Sequence, residues 1–207
     1  MDNTAASDPH FEIDDMSPED VPAISAFVDR TLGPGYMPPE QLAADLSRAT
    51  APDADGQPVI CAHVARSTEG YIGGFRIAYP PGRWSHGRGD GLTEHLWPAP
   101  LSASAYFQTI VVDPESRGHG LGQRLSLRAL DALRRLGAQG VVTHSWLESP
   151  HNSSQRYLKK LGFEQVAVHP RYWMEVDYHC VRCGRPCVCT AVEMALDLRA
   201  EGGTTST

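Results

Sequence analysis

The sequence lacks any long hydrophobic run, and no window approaches the ~18 consecutive apolar residues of a membrane-spanning helix. It also lacks a charged N-terminal stretch followed by an apolar segment, which is the pattern of a secretory signal. From these two absences we expect a cytoplasmic protein with no membrane partner.

Positive charge is also scarce. The 207 residues contain 18 Lys and Arg against 25 Asp and Glu, which gives a formal net charge of −7. Such a chain repels a phosphate backbone unless its arginines gather on one face, so the composition disfavours general nucleic-acid binding. The length predicts one compact domain with room for a small appendage.

Cysteine is rare outside one short segment. Four of the five cysteines fall between residues 180 and 189, and Cys61 stands apart. In a reducing compartment so dense a group is more typical of a metal site than of disulfides. Cys180-Val-Arg-Cys183-Gly184 has the form of a zinc knuckle, and Cys187 and Cys189 complete a tetrahedral four-thiolate set for a structural zinc ion. A redox-active or free thiol group is the alternative, because the second pair is spaced more closely than Cys-x-x-Cys.

Alternating extended and helical patterns predict a sheet flanked by helices, in the α/β (α+β) class. The clearest strand, 105–112, leads into glycines at 118, 120 and 122, and an amphipathic helix follows as far as Gly137. The other expected strands are 11–16, 58–66, 71–79, 141–147, 163–168 and 172–176, and the other expected helices are 17–32, 38–48, 152–161 and 191–198.

The glycine-rich turn after the clearest strand is suited to hold a phosphate group. Glycines at alternate positions let consecutive amide groups point at one place, and the N-terminus of the following helix favours an anion there. The spacing Gly-x-Gly-x-Gly differs from the dinucleotide-binding Gly-x-Gly-x-x-Gly. No Lys-Ser/Thr pair follows, so the turn is not a nucleotide P-loop either.

Two blocks of the sequence resemble the GNAT (Gcn5-related N-acetyltransferase) superfamily. Residues 112–122, Val-Asp-Pro-Glu-Ser-Arg-Gly-His-Gly-Leu-Gly, resemble its acetyl-CoA signature, Arg/Gln-x-x-Gly-x-Gly/Ala after a central strand. Residues 152–163 are similar to its Asn-x-x-Ala/Ser…Gly-Phe helix and turn. The resemblance implies the GNAT fold, a mixed and mostly antiparallel twisted sheet with splayed central strands, flanked by helices.

The resemblance also implies an activity, the transfer of an acetyl group from acetyl-CoA to an amine that attacks the thioester directly. It does not identify the acceptor, for which we expect a primary amine of a small metabolite or antibiotic. The alternatives are a CoA-binding regulatory module without catalysis, an acyltransferase that uses aminoacyl-tRNA, and a protein N-acetyltransferase. The sequence leaves open whether the protein forms a homodimer.

The same resemblance assigns the donor site. It implies that the amides after Arg117 hold the pyrophosphate of CoA, that strand backbone left unpaired at the splay binds the pantetheine arm, and that Asn152 contacts this arm from the other side. The residues expected to bind the cofactor are Ile110, Val111, Val112, Arg117, Gly118, His119, Gly120, Leu121, Gly122, Gln123 and Asn152.

The catalytic groups follow the family less closely. In the family a Tyr four residues before the Gly-Phe pair often protonates the leaving thiolate, but Leu158 occupies that position and Tyr157 lies one place earlier. One residue rotates a helical side chain by ~100°, so Tyr157 is either this acid or a core residue. Glu148 is the expected base for the amine, being near the position where some members place a carboxylate. The further candidates are His144, His119, Glu94 and His95.

The acceptor pocket is expected between the helices over 21–48 and the long loop 80–103. In that loop Trp84 and Trp97 are candidates to wall an apolar substrate, and Asp90 and Glu94 to attract a cationic amine. The expected organisation is a disordered segment 1–10, an acyltransferase domain 11–177, an appended knuckle with a short helix over 178–200, and a disordered tail 201–207.

Overall fold

A computed structural model describes residues 10–50, 58–84 and 92–199, with the side chains of 48–50 left out. The disorder expected over 1–10 and 201–207 falls outside these residues, apart from His10. The elements are β1 (Phe11–Asp15), α1 (Val21–Thr31), α2 (Pro39–Thr50), β2 (Cys61–Ser67), β3 (Ile72–Tyr79), β4 (Ser104–Val112), α3 (Leu121–Arg135), β5 (Gly140–Trp146), α4 (Ser153–Lys160), β6 (Glu164–His169) and β7 (Ala191–Asp197).

The strands form one mixed sheet in the order β1-β2-β3-β4-β5-β7-β6. Only the β4–β5 pair is parallel, and its pairing runs from Ser104↔Gly140 to Phe107↔Thr143. Beyond Phe107 the remainder of β4 pairs with β3 alone, and the remainder of β5 pairs with β7. The sheet is therefore split at its centre, and the α/β (α+β) class with splayed central strands is confirmed.

Helices cover both faces of the sheet. On one side, called the α1 face here, Ile24 and Val28 of α1 and Leu42 of α2 pack against Phe75 and Ile77 of β3. On the other side, the α3 face, the apolar stripe of α3 and Leu158 of α4 pack against the centre of the sheet. The buried residues there include Leu125, Ala129, Leu133, Phe107, Val141 and Met194.

Two expected elements are wrong. Residues 191–197 form β7 instead of a helix, and residues 172–176 lie in turns instead of a strand. The segment 191–198 has apolar residues at helical spacing and good helix formers. Nevertheless its place between β5 and β6 buries both of its faces, and this tertiary environment overrides local propensity.

The position of β7 also changes the place of the cysteine segment. Because β7 lies between β5 and β6 in the sheet, residues 170–190 connect two paired strands. The expected boundary at 177/178 therefore falls within this connection. No helix in residues 10–50, 58–84 or 92–199 has the length and apolar character needed to cross a membrane.

Candidate active site

The glycine-rich turn joins the end of β4 to the start of α3. The side chain of Asp113 accepts a hydrogen bond from the amide of Glu115 at 3.0 Å and holds the first part of the turn. Gly118 and Gly120 have φ values of 94° and 68°, which favour glycine, and a Cβ atom at either position would meet no other atom within 4 Å. The turn therefore needs these glycines for its backbone, and the space beside them is open.

The first amides of α3 lie at this open surface. A helix supplies no intrahelical acceptor for its first four N–H groups, and α3 has no acidic residue in its first turn. Arg124 is directed away, because its Nη2 donates to the backbone oxygen of Phe11 at 2.6 Å. The amides of Leu121, Gly122 and Gln123 thus present uncompensated positive partial charge to a ligand.

The place where β4 separates from β5, called the splay here, lies beside this helix N-terminus. The edge of β4 that carries the backbone of 110–112 faces β5 but is not paired with it, since the pairing of these two strands ends at Phe107 and Thr143. A Cβ on Gly122 would lie 3.8 Å from both Ile110 and Val112. The helix N-terminus and the unpaired strand edge thus lie side by side, and the CoA-binding role of these residues stays a prediction.

Tyr157 lies on the α3 face beside this helix N-terminus. Its hydroxyl donates to the backbone oxygen of Gly122 at 2.7 Å and also forms a hydrogen bond with Ser126 Oγ. Burial raises the pKa of Tyr157. Leu158, at the position of the family's tyrosine, is buried in the core. The geometry favours the packing role for Tyr157 over that of an acid aimed at the splay.

Replacing Tyr157 by Phe tests whether this residue packs in the core or acts as the general acid. We expect the free energy of unfolding to fall by about 1 kcal/mol, because the hydroxyl loses two hydrogen bonds. We expect turnover to change by less than about threefold, whereas loss of a general acid costs about 10²- to 10⁴-fold. Denaturant unfolding and steady-state kinetics measure the two effects. A fall in turnover as large as the loss of a general acid, with acetyl-CoA affinity unchanged, would restore Tyr157 as the acid.

Glu148 and Asn152 lie in the connection between β5 and α4. Both carboxylate oxygens of Glu148 accept from the amide of Thr190, at 3.1 and 3.0 Å, so this side chain holds the start of β7. Asn152 occupies the N-cap position of α4 with φ 54° and makes no side-chain cap hydrogen bond. Instead Ser149 Oγ accepts from the amide of Ser154 at 3.1 Å. Asn152 is exposed, and its contact with CoA stays a prediction, whereas Glu148 already has a structural partner.

His144 occupies the opposite face of the splay. It follows Thr143, the last β5 residue paired with β4, and alternation along the strand directs it to the α1 face. Its Nδ1 lies 3.1 Å from the hydroxyl of Tyr106, and its ring stacks on Tyr172 with centroids 4.3 Å apart. This histidine is the candidate base closest to the point where the two strands separate.

Glu193 of β7 lies opposite His144 and is fully buried. Burial acts to raise its pKa, but hydrogen bonds from Thr93, His169 and Trp97 outweigh it, and the pKa is lowered. The ligand atoms of His144, His169 and Glu193 lie within 4.8 Å of one another. Because four donors already occupy the Glu193 carboxylate, this group is satisfied as a hydrogen-bond network and needs no metal ion.

The aromatic residues of the loop 80–103 lie over this network. Trp84 stacks on Tyr106 at 4.9 Å between centroids, and its Nε1 donates to the backbone oxygen of Ser104 at 2.8 Å. Trp97 lies 6.1 Å from Trp84 between ring centroids. The two tryptophans therefore form one wall beside the splay. Glu94 is exposed, and the expected contribution of Asp90 lies outside the described residues.

A small apolar cavity of about 60 Å³ lies between the α1–α2 connection and the cysteine segment. A Cβ on Gly33, which has φ 118°, would come within 1.9 Å of the backbone oxygen of His179, so the close approach of these two segments requires glycine there. The cavity is lined by Leu32, Tyr36, Trp146, Trp173, Tyr178, Cys180 and Val181. The cysteine segment thus supplies part of a wall near the end of β5.

The four clustered cysteines converge as the sequence predicts for a metal site. The Sγ–Sγ distances are 3.9 Å for Cys180–Cys189, 3.7 Å for Cys183–Cys187 and 3.6 Å for Cys183–Cys189. Zn–S bonds of about 2.3 Å in a tetrahedron place sulfur atoms about 3.8 Å apart, so the set fits a zinc ion. All four cysteines are free of disulfides.

The surroundings of the sulfur atoms suit thiolates. The hydroxyl of Tyr178 donates to Cys187 Sγ at 3.1 Å, and the amide of Val188 donates to Cys183 Sγ at 3.4 Å. Burial acts to raise the pKa of the Cys180 thiol, but hydrogen bonds involving the Cys183 and Arg182 backbone lower it to about 7. Burial raises the pKa of Cys187 and Cys189, so a bound cation is what would hold all four as thiolates.

Part of the sequence, including the glycine-rich turn, is similar to known proteins. A family model described as the acetyltransferase (GNAT) domain matches residues 63–165, which span β2 to β6 and include the glycine-rich turn. The chain belongs to the GNAT family. The mycothiol acetyltransferase of Beutenbergia cavernae is 36% identical over 89 residues, which cover 42% of this chain and 29% of that protein. The chain thus matches less than a third of the length of this relative.

Solved structures share the fold of this chain at low sequence identity. The protein yncA of Salmonella typhimurium, solved with its cofactor acetyl-CoA, is 17% identical, with a TM-score of 0.63 over 95% of this chain and 99% of that one. The ribosomal-protein-S18-alanine N-acetyltransferase of Escherichia coli is 16% identical, with a TM-score of 0.61 over 96% of this chain and all of that one. At these identities the comparison extends to the fold alone.

Three residues near the separation of β4 and β5 were missed by the sequence reasoning, and the first of them is Arg76. Arg76 is the single charged residue of β3, and only 2% of it is exposed. An arginine within an otherwise apolar strand was a visible signal, but nothing local shows that it lies beside a cleft formed by residues more than thirty positions away. Tyr106 and Glu193 were missed for the same reason.

Proposed function

We propose that this protein is an acetyl-CoA-dependent N-acetyltransferase whose acceptor is a primary amine of a small metabolite or antibiotic. The observation that carries the proposal is the break in β4–β5 pairing after Phe107 and Thr143. It opens a cleft through the sheet, with a helix N-terminus on the α3 face and His144 on the α1 face. A donor and an acceptor can therefore approach one reacting carbonyl from opposite sides.

The donor half of the proposal rests on hydrogen-bonding groups that the fold leaves without partners. The amides at the start of α3 would bind the pyrophosphate, the backbone of 110–112 would bind the pantetheine arm, and a strand amide would polarise the thioester carbonyl. Such preorganised donors contribute on the order of 3 kcal/mol to the transition state. Because these groups are local dipoles, they can overcome the net charge of −7 at this point.

The acceptor half rests on the aromatic wall and on His144. A primary amine must lose a proton as it attacks, and a histidine is suited to accept that proton at neutral pH. The wall of Trp84 and Trp97 and the cavity lined by Tyr36 and Trp173 favour an amine with an apolar or aromatic portion. In this mechanism His144 takes the proton, because the carboxylate of Glu148 is engaged by Thr190.

Thermal-shift and turnover assays test the function. Acetyl-CoA should raise Tm, and a screen of amines, with amines related to mycothiol among them, should reveal acetyl-dependent thiol release. Stabilisation by acetyl-CoA without turnover on any amine would favour the CoA-binding regulatory module. If acetyl-CoA neither stabilises nor binds the protein, the proposed donor site is wrong. The cytoplasmic location and a homodimer stay predictions.

Replacing His144 by Gln should cause about a 100-fold loss of turnover with the best amine from that screen, because the proton acceptor is lost. The remaining rate should rise with pH as more of the amine arrives deprotonated. Glu148→Gln is the control, since it changes a partner of Thr190 and should leave turnover within about twofold, well below the effect of losing a general base. If Glu148→Gln lost more turnover than His144→Gln, Glu148 would be the base instead.

We also propose a structural zinc ion at Cys180, Cys183, Cys187 and Cys189. The sulfur spacing and the N–H and O–H donors around the sulfur atoms support it. Four protein ligands would fill the tetrahedron, so the ion would stabilise the fold and take no part in acyl transfer. It would fix the connection between β6 and β7 and, with it, one wall of the aromatic cavity.

A further inference from the structure

Arg76 is a buried cation without a counter-ion in the described part of the chain. Its Nε and Nη2 atoms are buried and have no hydrogen-bond partner among residues 10–50, 58–84 and 92–199. The guanidinium carbon lies 3.4 Å from the centroid of the Phe107 ring. Among the described residues, Tyr157 and not a carboxylate is the titratable group that acts on Arg76. Stacking on an aromatic ring offsets only part of the cost of burying this charge.

The charge persists at neutral pH. Burial lowers the pKa of Arg76 to about 10, which still leaves the guanidinium protonated. Tyr157 of α4 is the titratable group that acts electrostatically on Arg76. Burial raises the pKa of Tyr157, so its hydroxyl is neutral and cannot act as the counter-ion. On β2, His63 lies opposite Arg76 in register, but its Nδ1 is bound to Asp15 at 3.0 Å. An anion that the described residues do not supply would complete this site.

The position of Arg76 indicates which anion. It stacks on Phe107, the last β4 residue paired with β5, and it pairs in register with Ile110 on the unpaired part of β4. Tyr157, which acts on Arg76 electrostatically, contacts Gly122 at the start of α3. Phe107 and Tyr157 therefore connect Arg76 to the end of the β4–β5 pairing and to the proposed pyrophosphate site.

We propose that Arg76 stabilises the thiolate of CoA as it leaves, which deepens the proposed function and rests on it. In this step the amine nitrogen bonds to the thioester carbon, the C–S bond breaks, and its electron pair passes to sulfur. The proton lost by the amine goes to the base on the α1 face. Arg76 keeps its own protons and holds the sulfur anion by charge and by its free N–H groups. It thereby replaces the hydroxyl acid that Leu158 cannot supply.

Titration of the CoA thiol in the binary complex tests this role without any acceptor. The thiolate of CoA absorbs in the ultraviolet, so its pKa can be followed in free CoA and in CoA bound to the full chain. We expect binding to the wild-type protein to lower this pKa by at least about one unit, as an adjacent cation does. CoA should also bind more tightly than desulfo-CoA, which lacks the thiol, and this preference should approach about tenfold as the pH rises above the pKa of the free thiol.

Variants at Arg76 separate charge from packing. Arg76→Met should abolish the pKa shift and the preference over desulfo-CoA, and Arg76→Lys should keep part of both. Arg76 has no ion-pair partner among the described residues, so Arg76→Met removes the cost of burying a charge and leaves no described partner charge uncompensated; the variant is therefore expected to fold. Arg128→Met is the matched control, since it removes an arginine that is 44% exposed and paired with Asp15, and it should leave both signals unchanged.

The outcomes distinguish this proposal from the one on which it rests. If the wild-type protein binds neither CoA nor desulfo-CoA, the proposed function fails. If both bind equally and the thiol pKa is unchanged, the role of Arg76 is overturned while the donor site stands. The wild-type titration decides this even if an Arg76 variant does not fold.

Discussion

Replacing Gly120 by Asp will weaken acetyl-CoA binding by about 100-fold, or about 2.7 kcal/mol. Gly120 has φ 68° and its Cβ position faces open space at the N-terminus of α3. Asp tolerates a positive φ better than most residues, so the backbone of the turn should persist. Its carboxylate would lie where the pyrophosphate is proposed to bind, and the repulsion of two anions about 4 Å apart at a protein surface is of this size. Isothermal titration with acetyl-CoA measures the loss.

Gly137→Asp provides the matched control for this variant. Gly137 has φ 82° at the other end of α3, and a Cβ there also meets nothing within 4 Å. The two substitutions therefore add the same side chain to the same kind of backbone, and they differ in their distance from the proposed site. Gly137→Asp should keep the wild-type affinity within about twofold, apart from a small effect on stability at the helix C-terminus. Equal affinities for both variants would rule out the pyrophosphate role of the turn.

The glycine-rich turn could be predicted from the sequence because its determinants are local. The glycines at 118, 120 and 122 and the strand before them form one uninterrupted segment, and steric limits on φ restrict such a turn to few conformations. The four cysteines are also close in sequence, and their Sγ atoms meet within 4.8 Å as the spacing predicts. Features of this kind need little knowledge of the tertiary fold.

The rest of the site depends on strand order, which local patterns do not encode. His144 meets Tyr106 and faces Glu193 because β5 lies between β4 and β7. The expected helix over 191–198 would have removed β7 from the sheet, and with it the reason for a buried Glu193. The same error made the cysteine segment an appendage, when it connects two strands that pair with each other.

Replacing Cys183 by Ser will release the proposed zinc ion and lower the free energy of unfolding by about 3 kcal/mol or more, since loss of a metal is among the few single changes with so large an effect. For a chain of this size that corresponds to a fall in Tm of about 6–12 °C. The reason is topological, because the cysteine segment connects β6 to β7 and β7 lies inside the sheet. Elemental analysis should give one zinc per wild-type chain, and calorimetry measures the change in Tm.

Cys61→Ala is the control, since Cys61 is the single cysteine outside the cluster and is buried on β2. It should cost about 1 kcal/mol through lost packing and leave the zinc content at one per chain. Acetyl-CoA affinity should survive in Cys183→Ser wherever the variant is folded, because the donor cleft is built from β4 and α3. Turnover on an apolar amine should fall, because Cys180 and Tyr178 line the aromatic cavity. Wild-type protein from zinc-supplemented growth that holds no zinc, with four thiols reactive towards a disulfide reagent, would end the metal proposal.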